Sequence, residues 1–501
     1  MPKNGRLLIN KPKTEIIPLS ALRGEKVPPR PAGLAPEIKR WESEQGFESG
    51  VGRDASHLGV RQLGSPQGTP AFISKWMQKR IELKVQPVLQ LVQHLSPHSG
   101  WKCLQRFNAV SSMIYALRTT PPWDIDAAFF EQYERLIRTT LDIIIGVPLG
   151  DQEWNIATLP KKLGGWGILT PFTLALCGYI ASLSACRQGI LAQLPTSAAH
   201  INSLLEKAVG LLNKTLLGGR SVPFSMKEGD VVKQKDLVRL VGEHQRAQLM
   251  AIADDGLKAL LNGMSEPHAG AFKDAYDITD HCYGENFQLM MKRSLRIPII
   301  RAPALCPLCK LAEFDIHGDH ALSCASEGFV VHRHDDIKLA VRQLALEAGQ
   351  NWRVEEKIPL KGGELRAIDL FCPDAIPGSS HRATCLDVTV TNDFGGTAIK
   401  GAAKNPGDAA LRGEERKNSE YAQLLANSGY DFIPLSFSAT GGCTPKTQQV
   451  IKWLIHQKAI VSNTPVSEVA APFWQKISTI IHRSAAVSIK RRRDAIMTGA
   501  T

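Results

Sequence analysis

Between Cys306 and Cys324 four side chains fall into a metal-binding spacing. Cys306-Pro307-Leu308-Cys309 is a Cys-x2-Cys pair, His320 follows eleven residues after Cys309, and Cys324 four after that. Two thiolates on a tight turn, joined by a His and a Cys from the next element, suit tetrahedral zinc. Four protein ligands leave no open position, so the expected role is structural. His317 competes with His320; the His-x3-Cys spacing, which turns both ligands to one metal across a helical turn, favours His320. A second constellation is acidic. Asp369 and Asp387 sit in two apolar, strand-like runs, where burying a carboxylate without a cation is costly. Clustered carboxylates of this kind hold Mg²⁺ or Mn²⁺, which polarises a phosphate and activates water, with a Lys nearby to steady the charge. Asp374, separated from Asp387 by twelve residues, is the rival first carboxylate but falls in the expected turn. The Lys expected two residues after Asp387 is replaced by Thr389, and Lys417 from the next helix is the substitute. Glu355 or Glu356, ahead of the hairpin, offers a further carboxylate; Glu356 is taken as the candidate. Arg333-His334-Asp335 lies between the two constellations. Asp335 is a candidate helix cap, and Arg333 and His334 are candidate phosphate contacts or simply a solvated loop.

The elements that must position these groups follow from periodicity. A helix is expected over Asp335–Ala348, strands over Leu365–Cys372 and Ala383–Val390, a helix around Ala409–Ala426 and a third strand over Phe432–Phe437. Helices close the chain at Thr447–Lys458 and Phe473–Lys490. Upstream, apolar groups at helical spacing run through 71–150, with a third helix carrying Phe129, Tyr133, Leu136, Ile137, Leu141 and Ile144. Further helices are expected over Pro171–Leu194 and Asn202–Leu217. Residues 1–70 are rich in Pro, Gly and charge, with a turn cluster at Leu63–Gly68.

Composition narrows the class. The chain has 501 residues, and 60 Lys+Arg against 48 Asp+Glu give a formal net charge of +12. The pI is about 9.2, which makes polyanions the default partner. No stretch is read as reaching the ~20 apolar residues of a membrane span, and no secretory signal is visible. Ten Cys in this length are too dilute for a disulfide scaffold, so a reducing compartment is expected. Lys490-Arg491-Arg492-Arg493 reads equally as a nuclear-localisation patch or as a charged helix end.

Taken in order, these residues resemble the C-terminal half of non-LTR retrotransposon proteins that carry a restriction-like endonuclease. Cys306, Cys309, His320 and Cys324 match that family's zinc knuckle, and Arg333-His334-Asp335 its following motif. Arg366-Ala367-Ile368-Asp369-Leu370 and Leu386-Asp387-Val388-Thr389-Val390 look like its two carboxylate strands. Lys417 with Tyr421 is similar to its Lys-x3-Tyr, and Phe432-Ile433-Pro434-Leu435 to its next strand. Upstream, Ile9–Thr14, including Lys13, and Leu63–Gly68 resemble the reverse-transcriptase palm after its catalytic Asp pair. Leu159-Pro160 with Gly164-Gly165-Trp166-Gly167-Ile168 resembles the signature after the thumb.

The resemblance implies a multidomain fold. Its parts would be the end of a palm (1–70), a helical thumb (71–220), a helical linker (221–300) and a zinc knuckle with Arg333-His334-Asp335 (301–335). An α/β restriction-endonuclease-like domain (336–445) and C-terminal helices (446–501) would follow. It implies Asp369 and Asp387 as metal-holding catalytic residues, Lys417 and Tyr421 beside them, and Arg333, His334 and Lys13 as nucleic-acid contacts. Thumb residues Lys79, Arg80, Lys84, Arg106 and Arg118 are further candidates for phosphate. The partners would be target DNA and element RNA in the nucleus. The palm's paired Asp residues are absent, and Asp254-Asp255 reads as a helix end, so polymerisation is not expected. The alternatives are a binding remnant with a decayed pocket, or a host protein that has recruited the nuclease.

Overall fold

The computed structural model describes residues 59–62, 64–107, 113–223, 231–275, 284–374, 376–380 and 382–499. Lys13 and the Ile9–Thr14 stretch lie outside them. The described residues are mainly helical and form two compact units. One takes those up to 92 with 106–138 and 170–240; the other takes 93–105, 139–169 and those from 241 onward.

In the first unit β1 (Gly59–Gln62) and β2 (Ser65–Gly68) pair antiparallel, so most of the expected turn cluster is a strand; Leu63 lies outside the described residues. Helix α1 (Ile114–Thr119) and α3 (Ala198–Thr215) pack on the long α2 (Pro171–Gln193). Thr170 caps α2 and Pro171 sits at its first position, where the missing N–H costs nothing. A Cβ on Gly178 would meet Arg118 Cγ at 2.8 Å, so this glycine sets how closely α1 approaches. Contrary to the expectation from sequence, α2 is long and apolar enough to cross a membrane by length and composition, and 56% of its apolar window is buried.

The second unit holds both constellations. Asp254 accepts a 2.7 Å bond from the Leu257 amide and caps α4 (Asp255–Ser265), so Asp254-Asp255 is indeed a helix end. After α5 (Glu285–Ser294), β3 (Ala304–Leu305) and β4 (Glu313–Phe314) form a small hairpin. Helix α6 (Phe329–Glu347) leads into a sheet of β5 (Arg353–Pro359), β6 (Leu365–Cys372), β7 (Thr384–Thr391) and β8 (Asp431–Ser438), in that order. The first three strands are antiparallel, whereas β7 and β8 are parallel, joined across α7 (Asp408–Asn427). Helices α8 (Pro445–Ser462) and α9 (Val466–Thr498) close the chain.

Strands β7 and β8 are covered on both faces and are largely apolar on both sides, whereas β5 is mostly exposed. Leu386 and Val388 of β7 and Ile433, Leu435 and Phe437 of β8 share a core with α6, α8 and α9. The C-terminal helices therefore belong to the same core as the sheet. On the opposite face Cys385, Phe432 and Tyr421 of α7 form a second, smaller core. Gly413 lets α7 lie close to the sheet: a Cβ there would meet Thr391 Oγ1 at 2.4 Å and Ser436 Oγ at 2.6 Å.

Alternation of side chains breaks at one place. Ile368 and Leu370, two apart on β6, should share a face, yet Ile368 packs in the α7 core and Leu370 in the α6 core. On β5, Val354 and Ile358 are split the same way. The β5–β6 pairing keeps one register throughout, with Val354 opposite Leu370 and Glu356 opposite Ile368, but skips Glu355. Glu355 has φ of +52°, a left-handed conformation that costs a non-glycine residue of order 1–3 kcal/mol. The residue across from it, midway between Ile368 and Leu370, is Asp369.

Candidate functional site

The Cys/His group is assembled by the β3–β4 hairpin and the 3₁₀ turn Asp319–Leu322. Cys306 and Cys309 sit on the hairpin turn, held by Cys306 N to Ala312 O at 2.9 Å and Lys310 N to Cys306 O at 2.9 Å. Asp315 fixes the other half: its carboxylate accepts from the amides of His317 at 2.9 Å and His320 at 3.0 Å. The ligand atoms of Cys306, Cys309, His320 and Cys324 all lie within 4.8 Å of one another. Cys309 Sγ is 3.4 Å from His320 Nε2, close to the ~3.3–3.8 Å edge expected from zinc–sulfur and zinc–nitrogen bond lengths in a tetrahedron. Three thiols and an imidazole could bind a metal such as zinc. His320 is the histidine of this group. Beside it, His317 is pushed down to about 4 by burial and then by the charge of Arg296. Burial opposes ionisation of the Cys324 thiol, but the Ser326 amide and the Arg492 guanidinium overcome it and bring it to about 6.

Arg492 explains the basic tail. It is fully buried and donates to Ser488 O at 3.0 Å and Ser488 Oγ at 2.6 Å. Lys490 pairs with Glu285 at 2.9 Å, Arg491 with Glu327 at 3.4 Å, and Arg493 with Glu285 and Asp494. All four cations of the run are engaged within the fold.

The Arg333-His334-Asp335 motif is not a loop. Gly328, with φ of +70°, precedes α6, and the helix starts at Phe329, so all three residues lie within it and Asp335 is not its cap. Arg333 is 3% exposed and donates to Leu322 O at 3.2 Å, between ligands His320 and Cys324. This corrects the expectation for Arg333: its guanidinium faces the protein interior rather than a phosphate. His334 is also turned inward, with Nε2 2.8 Å from Asp369 Oδ2 and Nδ1 3.2 Å from Asp335 Oδ1.

Asp369 Oδ2 also accepts the Val388 amide at 2.8 Å. The β6–β7 ladder pairs Leu370 with Leu386, Phe371 with Cys385 and Cys372 with Thr384; the next step brings Asp369 opposite Asp387. There the side chain of Asp369 takes the amide that backbone pairing would otherwise occupy. Asp387 forms an ion pair with Lys417 of α7 at 2.8 Å. The two carboxyls are driven apart. Burial raises Asp369, but the His334 bond and the Val388 amide outweigh it, leaving it below the usual range. Burial raises Asp387 against the Lys417 bond, and the Asp369 charge adds to the rise. The hydrogen bond to Asp369 raises His334 against the effect of burial.

Asp374 is exposed beyond the end of β6, two residues past Cys372, whose register partner is Thr384. The structure therefore brings Asp369 to Asp387, and not Asp374. Glu356 is a second correction: it pairs with Arg353 at 3.1 Å and faces Ile368 across the ladder. Glu355 stands in its place, opposite Asp369, and binds Lys338 at 2.8 Å. Lys338, 5% exposed, also pairs with Asp335 at 2.9 Å. Sequence reasoning missed Lys338, although its spacing of four from His334 on one helix was a usable signal. Chemically, this pocket offers two hard oxygen donors on adjacent strands, an ammonium and an imidazole. Comparison with models of protein families and with curated proteins finds no match for this chain.

Proposed function

We propose that this chain is the nuclease-bearing part of a non-LTR retrotransposon protein, acting as a Mg²⁺- or Mn²⁺-dependent DNA endonuclease. The observation that carries the reading is the meeting of Asp369 and Asp387 on adjacent strands, with Lys417 2.8 Å from Asp387. Two partly buried carboxylates side by side repel each other and favour a cation between them. Oxygen donors of this kind fit a hard divalent ion. When bound, such an ion supplies charge stabilisation at a phosphate and lowers the pKa of water. Asp369 is held in place by His334 and the Val388 amide. Asp387 steers the Lys417 ammonium, which in turn balances charge on the scissile phosphate. Cys306, Cys309, His320 and Cys324 hold a structural zinc. The partners are target DNA and element RNA, in the nucleus, with no polymerase role assigned to these residues.

The test is nicking of supercoiled plasmid in Mg²⁺, followed by extension of the nick with an added polymerase. The expected product is open circle with an extendable 3′ hydroxyl, as priming of cDNA synthesis requires. A wild-type protein that binds the plasmid and leaves it closed in both Mg²⁺ and Mn²⁺ contradicts the proposal. One observation favours a second reading, an inactive nucleic-acid-binding remnant: each carboxylate already has a protein partner, Lys417 on Asp387 and His334 on Asp369. Salt-sensitive binding without scission would identify it.

A further inference from the structure

Arg366 lies three residues before Asp369 on β6, on the face that α7 covers. Its guanidinium carbon is 4.3 Å from the centre of the Tyr421 ring, and Lys417 Nζ is 5.1 Å from the same ring. Two cations are thus gathered on one aromatic side chain. They differ in one respect. Lys417 is neutralised by Asp387, whereas the Arg366 side chain makes no hydrogen bond or ion pair among the described residues. A guanidinium held over a ring face by its carbon still has N–H groups to donate, and its rigid fork matches the paired oxygens of a phosphate. The Tyr421 ring is itself packed on Phe432, at a centroid distance of 5.7 Å. What Tyr421 offers Arg366 is the ring.

We infer that Arg366, stacked on Tyr421, is a phosphate subsite that holds the DNA strand beside the Asp369–Asp387 pocket. The inference rests on the nuclease reading, because it takes the anion to be a DNA backbone phosphate. It makes Tyr421 a positioning residue: it sets the plane of the Arg366 guanidinium and shares its ring with Lys417. A second cation held near Lys417 without a carboxylate partner is an unfavourable arrangement in isolation. An arriving anion relieves it.

The experiment measures duplex DNA affinity of the full chain by fluorescence anisotropy across a salt series, with scission scored in the same samples. Arg366→Ala should weaken binding roughly tenfold or more at moderate salt and reduce the slope of log K against log salt by about 1. Arg366→Lys should keep the slope while losing part of the affinity, because a point charge replaces the fork. Tyr421→Phe should bind as wild type, and Tyr421→Leu should weaken binding as Arg366→Ala does. Equal affinity and slope for wild type and Arg366→Ala would overturn the inference, as would Tyr421→Leu that binds normally. Scission is read separately: loss of the Arg366 effect with scission intact removes the subsite alone. A clear Arg366 effect without any scission keeps the subsite and removes the nuclease.

Discussion

His334 Nε2 and Asp369 Oδ2 meet at 2.8 Å, while the residue before His334, Arg333, donates to Leu322 O at 3.2 Å. One turn of α6 therefore ties the segment carrying His320 and Cys324 to the first carboxylate of the pocket. A second tie runs from the far end of β7, where Asn392 Nδ2 donates to Asp319 O and Ser323 Oγ, each at 3.3 Å. The candidate metal group thus braces both strands that carry Asp369 and Asp387.

His334→Ala should lower nicking by roughly 10–100-fold, the usual cost of losing a group that orients a metal-binding carboxylate. Zinc content and melting temperature should change little, because His334 is partly exposed. His334→Gln, which keeps a donor within reach of Asp369, should recover part of the rate. Wild-type nicking by His334→Ala would detach the imidazole from the pocket.

Arg333→Ala should act differently. It removes a buried guanidinium and leaves Leu322 O unpaired, at a cost of about 1–3 kcal/mol. The variant should retain its metal, melt at lower temperature and lose DNA cleavage more than DNA binding. A variant that is as stable as wild type and binds DNA more weakly would return Arg333 to a phosphate-contact role.

Strands β6, β7 and β8 and helix α7 were legible in the sequence to within a residue or two, whereas β5, with its charged run Glu355-Glu356-Lys357, was not expected as a strand. Leu365–Cys372 forms as expected, and Thr384–Thr391, Asp408–Asn427 and Asp431–Ser438 shift their expected ends only slightly. Periodicity and flanking turns carry those elements. The metal group was legible because its spacing is dense and its chemistry specific. Three further features were not. Helix α6 begins at Phe329, directly after the left-handed Gly328 and six residues ahead of the expected start at Asp335. The burial of Arg333 and Lys338 depends on tertiary partners, Leu322 O, Asp335 and Glu355, that no local pattern reveals. The left-handed Glu355, and with it the change of face at Asp369, leaves no trace in a residue type that normally avoids φ above zero.

Metal removal gives a further prediction. The purified chain should carry roughly one zinc, measured by elemental analysis. Cys309→Ser should lose it and lower the melting temperature. Chelation should also increase amide exchange in β6 and β7 more than in α8, because the two ties run from the metal segment to those strands. A metal-free chain with unchanged stability and exchange would separate the group from the fold.

His482 supplies a pH dependence. It is fully buried, with Nε2 3.2 Å from Ala269 O and 3.1 Å from Thr440 O. Burial, and then the Arg293 charge, lowers it to about 3. A folded pKa below the unfolded value means that its contribution is present above about 6.5 and lost as pH falls toward 3. The stability difference between wild type and His482→Gln should therefore shrink as pH falls through this window. One proton allows at most ~1.4 kcal/mol per pH unit. A difference that stays constant from pH 7 to 4 would mean the imidazole is not held neutral.

The most direct test of the account compares plasmid nicking by wild type, Asp369→Asn, Asp387→Asn and Asp374→Asn, purified identically and matched for DNA binding. Wild type and Asp374→Asn should nick in a Mg²⁺- or Mn²⁺-dependent way, and both Asp369→Asn and Asp387→Asn should lose roughly 100-fold or more. Equal nicking by all four, or a loss confined to Asp374→Asn, would contradict the pairing of Asp369 with Asp387 as the metal-holding site.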